Sequence, residues 1–178
     1  MRKNSQLNIL LSLFAALAIQ VSFGQSKDVA WVQNLGGTGS EEGLSIIPTN
    51  DGGLLTVGFT YSEDGILNNN KGWQDGWMIK TNDEGHIEWQ KTIGSDGADV
   101  IEKVIEVEDG YVLCGWSSSQ DPSFIDSKGL EDGFVAKVDK NGDLVWISSF
   151  GGSSMDKLFD LEVLANGDIV TVGYVLSD

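Results

Sequence analysis

Two stretches of the chain carry side chains that could bind a ligand. They span residues 61–76 and 119–133 and are rich in Asp, Asn and Ser. Loops of this composition cap their own turns, and they also gather oxygen ligands on the surface of a protein. We therefore take them as candidate binding loops. The candidate ligand-binding residues are Asp64, Asn68, Asn70, Asp75, Asp121, Asp126 and Asp132.

Calcium is the one cofactor that these loops suggest, and no other is expected. Ca²⁺ takes roughly six to eight oxygen ligands at about 2.3–2.6 Å, which carboxylates can supply. The alternative is a set of solvated turns in which Asp and Asn bond to nearby backbone groups. Both interpretations remain open from the sequence. The calcium interpretation uses Asp64 with Asp75 in one loop, and Asp121 with Asp126 and Asp132 in the other.

Enzymatic chemistry has little support in the sequence. Glu41, Asp99 and Asp156 recur along the chain, whereas a catalytic carboxylate needs to occur only once. The single histidine, His86, lies in a turn sequence, and the single cysteine, Cys114, is expected to be a buried apolar residue on a strand. The sequence favours a protein that is not an enzyme. A secreted, glycosidase-like hydrolase and a calcium-stiffened adhesin remain as alternatives.

The candidate loops match one another because the chain repeats itself. Residues 80–94 and 137–151 share Lys, Gly, Trp and a second Gly at the same places. Aligning the chain on itself gives repeats at residues 31–88, 89–145 and 146–178. A fixed period of this size indicates a solenoid, a propeller or a tandem array. The residues that mark the repeat are Trp31, Trp89, Trp146, Gly36, Gly94, Gly151, Gly85 and Gly142.

The segments within each repeat predict β-strands. They are short, rich in β-branched residues and separated by Gly turns. Residues 99–107 also have helical spacing, but the matching segment of the first repeat carries Pro48, so a strand is favoured there too. We predict four strands per repeat and three in the last. The fold class is all-β, with β-propeller-like four-stranded antiparallel blades, about two and a half to three of them in an incomplete ring.

The beginning of the chain predicts export. Arg2 and Lys3 precede an apolar run over residues 9–19, and small residues follow up to Gly24. This pattern is typical of a secretory signal peptide at residues 1–24, which leaves residues 25–178 as the repeat domain. The apolar run is shorter than the roughly 20 residues of a membrane span. We expect a secreted protein of the periplasm, cell surface or extracellular space, with no membrane span after cleavage.

The net charge limits the partners of the chain. Twenty-seven acidic residues face eleven basic ones, which gives a formal net charge of −16. Such a chain is repelled by nucleic acid, so nucleic-acid binding is not expected. A protein or a glycan outside the inner membrane is the expected partner.

A family resemblance supports this architecture. The stretches Lys80 to Trp89 and Lys137 to Trp146 resemble the D-x-x-G-x-x-x-W linker of quinoprotein-type (PQQ-like) propeller blades. Over residues 31–178 the repeat is similar to secreted bacterial β-propeller-type repeat proteins, which are often fused to type IX secretion sorting domains. That resemblance implies a propeller with more repeats, so the chain looks like a truncated member. The groups that hold a quinone cofactor have no match here, so the resemblance does not imply dehydrogenase activity.

These features together predict an exported, non-enzymatic propeller repeat module that binds or scaffolds a protein or a glycan. Propellers need about four to eight blades to close. The sequence leaves open whether the chain is a fragment of a longer array, whether copies associate to complete the ring, or whether the blades stand open.

Overall fold

The computed structural model describes residues 31–67 and 69–177. The predicted signal peptide and Asn68 lie outside the described residues. Within these two ranges the chain forms ten β-strands and no helix, so the predicted all-β class is confirmed. Nothing helical in this part of the chain has the length and apolar character of a membrane span.

The strands form three antiparallel sheets of four, four and two strands, and each sheet is built from strands that follow one another along the chain. Sheet 1 contains β1 (Glu41–Pro48), β2 (Leu54–Thr60), β3 (Asp75–Thr81) and β4 (Ile87–Ile93). Sheet 2 contains β5 (Asp99–Val107), β6 (Gly110–Ser117), β7 (Asp132–Val138) and β8 (Leu144–Phe150). Sheet 3 contains β9 (Asp156–Val163) and β10 (Ile169–Val175).

The sheets are offset by one strand from the sequence repeats. Trp89 lies on β4 and Trp146 on β8, so each Trp strand completes the sheet that the previous repeat began. The prediction of a strand at Trp31 is wrong, because residues 31–40 form none. Each Trp strand pairs with the third strand of its own sheet, and the described residues offer no such partner ahead of β1. The first repeat therefore holds three strands, whereas we predicted four.

The ambiguous segments are strands, as predicted, because their apolar residues meet the preceding sheet. β5 presents Ile101 and Val104, both fully buried, to Leu55 and Val57 on β2. Burial of such side chains contributes roughly 1.5–3 kcal/mol each, which outweighs a local preference for helix. Sheet 2 therefore packs on sheet 1 through β5.

The contact between sheets 2 and 3 repeats this arrangement. Val112 and Cys114 on β6 pack against Leu161 on β9. Cys114 has no exposed surface and pairs with no other cysteine, as predicted for a buried residue on a strand. Burial raises the pKa of its thiol to about 12, so the thiol stays protonated and unreactive.

Trp31 and Trp89 each contact the hairpin glycine of their own repeat. Gly85 and Gly142 have φ of 84° and 79°, which confirms the predicted turns. The Trp31 ring covers Gly85, and a Cβ atom on Gly142 would lie only 2.7 Å from Cζ3 of Trp89. Trp89 is half-buried, whereas Trp31 and Trp146 are each 37% exposed. Trp89 therefore lies at the contact between sheets 1 and 2, and none of the three Trp residues belongs to the fully buried core.

The recurrent Lys explains the recurrent Asp-Gly pair. Lys80 is 2% exposed, and its Nζ lies 2.9 Å from Asp51 and 2.8 Å from Glu88. In sheet 2, Nζ of Lys137 lies 2.7 Å from Asp109. Burial alone would lower the pKa of Lys80. The carboxylates of Glu88 and Asp51 have the larger combined effect, so the pKa is raised. Each Lys thus ties the third strand to the turn between the first two.

The Trp–Gly contact can be separated from backbone strain by two matched substitutions. Gly142→Ala should reduce the free energy of unfolding by about 2–3 kcal/mol, because the new Cβ is strained at positive φ and also meets Trp89. Gly167→Ala has the same strain, with φ of 87°, but nothing within 4 Å of the Cβ, so it should cost only about 1 kcal/mol. Chemical denaturation measures both. Equal losses would mean that the Trp contact contributes nothing.

Candidate functional site

The candidate loops and the segments that join the sheets lie at the same end of the strands. The first loop (61–74) joins β2 to β3, and the second loop (118–131) joins β6 to β7. A linker over residues 94–98 leads from sheet 1 to sheet 2 and hydrogen-bonds to both loops. Trp73 N donates to the Gly97 carbonyl at 2.9 Å, and Ser118 N donates to the Ala98 carbonyl at 2.8 Å. A second linker, residues 151–155, leads to sheet 3.

Asp64 and Asp121 fix the loops to the linkers and turns. Asp64 accepts hydrogen bonds from Thr38 N at 2.7 Å and from Thr38 Oγ1 at 3.1 Å. Asp121 accepts from Ser95 Oγ and from Ser123 N, both at 2.8 Å. The hydrogen bonds from Ser123 lower the pKa of Asp121, with a smaller contribution from Ser95. Both carboxylates therefore act on the protein's own backbone and hydroxyl groups.

The other loop residues do not form a cluster of acids. Asn70 accepts from Gly72 N at 3.2 Å and shapes the end of the first loop. The Asp126 side chain is exposed, and its main-chain carbonyl accepts from Ser149 Oγ at 2.7 Å. Over residues 31–67 and 69–177, no group of three or more Asp, Glu, His or Cys side chains is placed to hold a metal ion.

Asp75 and Asp132 are buried at the first position of the third strand in their sheets. Each has no exposed surface. One oxygen of each carboxylate accepts a backbone N–H from the end of the loop, Lys71 N to Asp75 and Lys128 N to Asp132, both at 2.8 Å. The other oxygen, Oδ1, is buried without a hydrogen-bond partner among the described residues.

A second buried carboxylate stands beside each of them. Asp99 and Asp156 are the first residues of β5 and β9, and they are 0% and 1% exposed. Each caps its linker, since Asp99 accepts from Ser95 N at 2.9 Å and Asp156 from Gly152 N at 2.7 Å.

The two carboxylates of each junction meet at a recurrent glycine. A Cβ atom on Gly94 would lie 2.6 Å from Asp75 Oδ1 and 2.8 Å from Asp99 Oδ2. Gly151 is enclosed in the same way by Asp132 and Asp156. Only glycine leaves room for both carboxylates. We call Asp75 with Asp99 the first carboxylate pair, and Asp132 with Asp156 the second.

The two pairs differ in their electrostatics. In the second pair, the hydrogen bond from the Ser177 side chain lowers the pKa of Asp156, whereas in the first pair burial disfavours the charged form. Burial raises the pKa of Asp99 to about 6, and the charge of Asp75 adds to that rise. Burial also raises the pKa of Asp75, and the loop's backbone hydrogen bonds only partly offset it. The ion pairs formed among the described residues include none of the four carboxylates.

Sequence reasoning found half of each pair. Asp75 and Asp132 were candidates, whereas Asp99 and Asp156 were seen only as recurrent acids. The signal that could have joined them is their spacing, because 24 residues separate the two members of both pairs. The recurrent Gly94 and Gly151 lie between them, and a Cβ there would collide with both carboxylates.

The first loop also presents an exposed aromatic pair. Trp73 is 75% exposed and Tyr61 is 40% exposed. Their ring centroids are 6.4 Å apart with the planes at 74°, and Phe59 contacts Tyr61 edge-on at 5.8 Å. Trp73 does not recur, since Leu130 takes its place in the second loop. The repeat pattern therefore gave no reason to single it out.

A polar groove of about 430 Å³ lies next to this aromatic pair along the chain. Its amide, amine and hydroxyl groups come from the first loop and from β4. Thr92 Oγ1 donates to the Asn69 carbonyl at 3.2 Å, which joins its two sides. The groove is lined by Asn69, Asn70, Lys71, Gln90, Lys91 and Thr92.

Comparison with known proteins gives no family. No family model and no curated protein matches the chain. The site must therefore be interpreted from its own geometry.

The raised pKa of Asp99 predicts how stability depends on pH. The folded state binds the Asp99 proton more tightly than the unfolded state, whose carboxyl titrates near 3.8. Protonated Asp99 therefore makes its full contribution to the free energy of unfolding below about pH 4. That contribution, which is up to about 3 kcal/mol, is lost as the pH rises to about 6. Asp99→Asn has no such titration and keeps an acceptor for Ser95 N.

Denaturation in EDTA at pH 4 and pH 7.5 tests this effect. From pH 4 to pH 7.5, the free energy of unfolding of Asp99→Asn should rise by about 2–3 kcal/mol relative to that of the wild type. Asp126→Asn removes an exposed carboxylate and should follow the wild-type pH dependence. If Asp99→Asn follows it as well, then Asp99 is not held in an unfavourable environment.

Proposed function

We propose that the chain is an exported, non-enzymatic, β-propeller-like module that binds a protein or a glycan outside the inner membrane. Its sheets would be the blades. The observation that carries this proposal is the exposed pair Trp73 and Tyr61 on the first loop, which also lines a groove of amide and amine groups. Export rests on the signal-peptide pattern of residues 1–24, outside the described part of the chain.

The aromatic pair is suited to recognition because it is exposed and yet held in place. Phe59 supports Tyr61, and the backbone N–H of Trp73 is bonded to the linker. Ordering a loop before binding reduces the entropy lost on association. An indole face stacks on the apolar face of a sugar ring or fills a pocket of a partner protein.

The groove favours a glycan over a protein. Asn70, Gln90 and Lys91 supply donors and acceptors suited to hydroxyl groups. Sites for small polar ligands combine a hydrophobic or aromatic surface with a few directed polar groups. An aromatic platform next to amides meets that description.

A non-enzymatic role is supported by what the buried carboxylates do. The pairs occur at both junctions, and every one of the four carboxylates accepts at least one backbone N–H group. Groups that recur in this way serve the architecture of a repeat. The groove of the first loop has a counterpart of about 420 Å³ in sheet 2, but its lining differs, because Ile147 and Ser148 take the places of Gln90 and Lys91.

Self-association is a second role, supported by residues that are exposed only in sheet 3. Val112 and Cys114 on β6 are 3% and 0% exposed, because sheet 3 covers them. Val170 and Val172 hold the same places on β10 and are 52% and 63% exposed. Sheet 3 therefore exposes an apolar surface that, in the preceding sheets, is covered by the next sheet.

Sheet 1 presents the complementary surface. Val104 and Leu161, which dock on the preceding sheet, are 0% and 4% exposed. Ile46 holds the same place on β1 and is 60% exposed. The two surfaces are different, so copies would join head to tail, a type of contact that gives rings or filaments. We propose that Ile46 of one copy packs on Val170 and Val172 of the next.

The binding proposal predicts the effect of removing Trp73. A glycan array and a protein array probed with the full chain would identify a ligand, and glycan ligands are expected. Trp73→Ala should then weaken binding at least about tenfold, in line with the roughly 1.5–3 kcal/mol that burial of a large apolar side chain contributes.

Phe159→Ala is the control for this experiment. Phe159 is an aromatic residue of β9 that is 44% exposed, and it lies outside the loops. Its substitution should leave binding unchanged. Unchanged affinity in Trp73→Ala, or a folded chain that binds nothing on either array, would overturn the proposal.

A further inference from the structure

We propose that each carboxylate pair binds a divalent cation of the calcium type, with one ion between Asp75 and Asp99 and one between Asp132 and Asp156. The inference does not depend on the proposed binding function. It concerns the junctions between sheets. It keeps Asp75 and Asp132 from the loop interpretation, but it pairs them with Asp99 and Asp156 rather than with Asp64, Asp121 and Asp126.

Unpartnered oxygens are the first observation. Asp75 Oδ1, Asp99 Oδ1 and Asp132 Oδ1 are buried and accept no hydrogen bond among the described residues. All three residues have no exposed surface. A buried carboxylate without a full set of partners is costly, so such oxygens are paired or coordinate a metal in stable proteins. Three of the four carboxylates at the junctions share this property.

The second observation is that an unpartnered oxygen of each pair lies close to an oxygen of the neighbouring carboxylate. At the first junction, the point where a Cβ atom of Gly94 would be lies 2.6 Å from the unpartnered Asp75 Oδ1. The same point lies 2.8 Å from Asp99 Oδ2, which accepts from Ser95 N.

At the second junction, the unpartnered Asp132 Oδ1 and Asp156 Oδ2 enclose Gly151. Asp156 differs from Asp99 because both of its oxygens accept hydrogen bonds, Oδ2 from Gly152 N and Oδ1 from Leu176 N. Two buried carboxylates that approach the same point repel one another unless a proton or a cation lies between them. The approach of two carboxylates at a recurrent glycine is found at both junctions, so it belongs to the repeat.

The junctions offer further oxygens as well. The main-chain carbonyls of Ser95 and Gly97 pass directly over Gly72, three residues before Asp75. Gly129, three residues before Asp132, is covered in the same way by the carbonyls of Gly152 and Ser154. Ca²⁺ accepts carboxylate, carbonyl and water oxygens together, so two carboxylates suffice for a site of modest affinity.

The charges around the pairs favour a cation. None of the ion pairs in the described residues involves the four carboxylates, so no Lys, Arg or His neutralises them by contact. The whole chain carries a formal net charge of −16, which attracts cations to its surface.

The donor set selects the kind of ion. Every candidate ligand is an oxygen, which suits hard cations and not the metals that prefer imidazole or thiolate. A site with few protein ligands, of which two are carboxylates, corresponds to the weak Ca²⁺ sites of extracellular modules. Those sites have Kd values of roughly 10⁻⁴–10⁻³ M. Calcium fits better than magnesium, because irregular main-chain geometry is poorly suited to an octahedral ion.

Titration with Ca²⁺ and with Tb³⁺ as its luminescent substitute tests the inference on the full chain after EDTA treatment. We expect two ions per chain, and a melting temperature that rises in about 5 mM CaCl₂, roughly five to fifty times the expected Kd. Asp99→Asn and Asp132→Asn should each reduce the number of bound ions to one. The double variant should bind none.

Asp126→Asn is the matched control, since it removes one carboxylate of the second loop and should still bind two ions. Circular dichroism verifies the fold of each variant, and if one unfolds, the other single variant and the wild type decide the outcome. No binding by the wild type at about 10 mM Ca²⁺ would overturn the proposal, because extracellular sites saturate well below that. Two ions retained in both Asn variants would also overturn it.

Discussion

The packing of one sheet on the next is the interaction on which the rest of the structure depends. β6 shows why, because its side chains alternate between two faces and both are buried: Leu113 faces sheet 1, whereas Val112 and Cys114 face sheet 3. A four-stranded sheet with two apolar faces is not stable alone, so it needs a neighbour on each side. Removing apolar area from water at each junction supplies the driving force.

The junction also determines where the functional groups lie. The linker between sheets is short, and it brings the start of each new sheet next to the long loop of the sheet before. Two carboxylates are then forced together at Gly94 and again at Gly151. The same linker holds Trp73 at the surface. The proposed recognition surface and the proposed cation sites thus both depend on one packing arrangement.

The repeat in the sequence was sufficient to predict the ten strands that form among the described residues, although it also predicted one at Trp31 that does not form. Pro48 in one copy resolved the ambiguous segment of the other two, and the positive φ of Gly85 and Gly142 followed from the turn sequence. A self-alignment shows which residues are equivalent but not which are neighbours. The contact of Asp75 with Asp99 joins different positions of the repeat, so it could not be seen in this way.

Two further features depend on more than the local sequence. Residues 31–40 resemble a Trp strand, but a strand forms only where another strand accepts its hydrogen bonds. Trp73 matches Leu130 rather than another Trp, so it carries no repeat signal, and its exposure follows from the loop around it. Exposure and pairing are properties of the assembled sheets.

The absolute mass of the full chain, measured by light scattering behind a sizing column, tests most directly whether this junction extends between copies. The account predicts a discrete assembly of several copies, which Val172→Lys dissociates because it places a charge in the apolar contact. Leu130→Lys adds the same charge at a loop residue that is 65% exposed and should leave the assembly intact. A single-chain mass at every concentration, or an assembly that Val172→Lys leaves unchanged, would contradict the account.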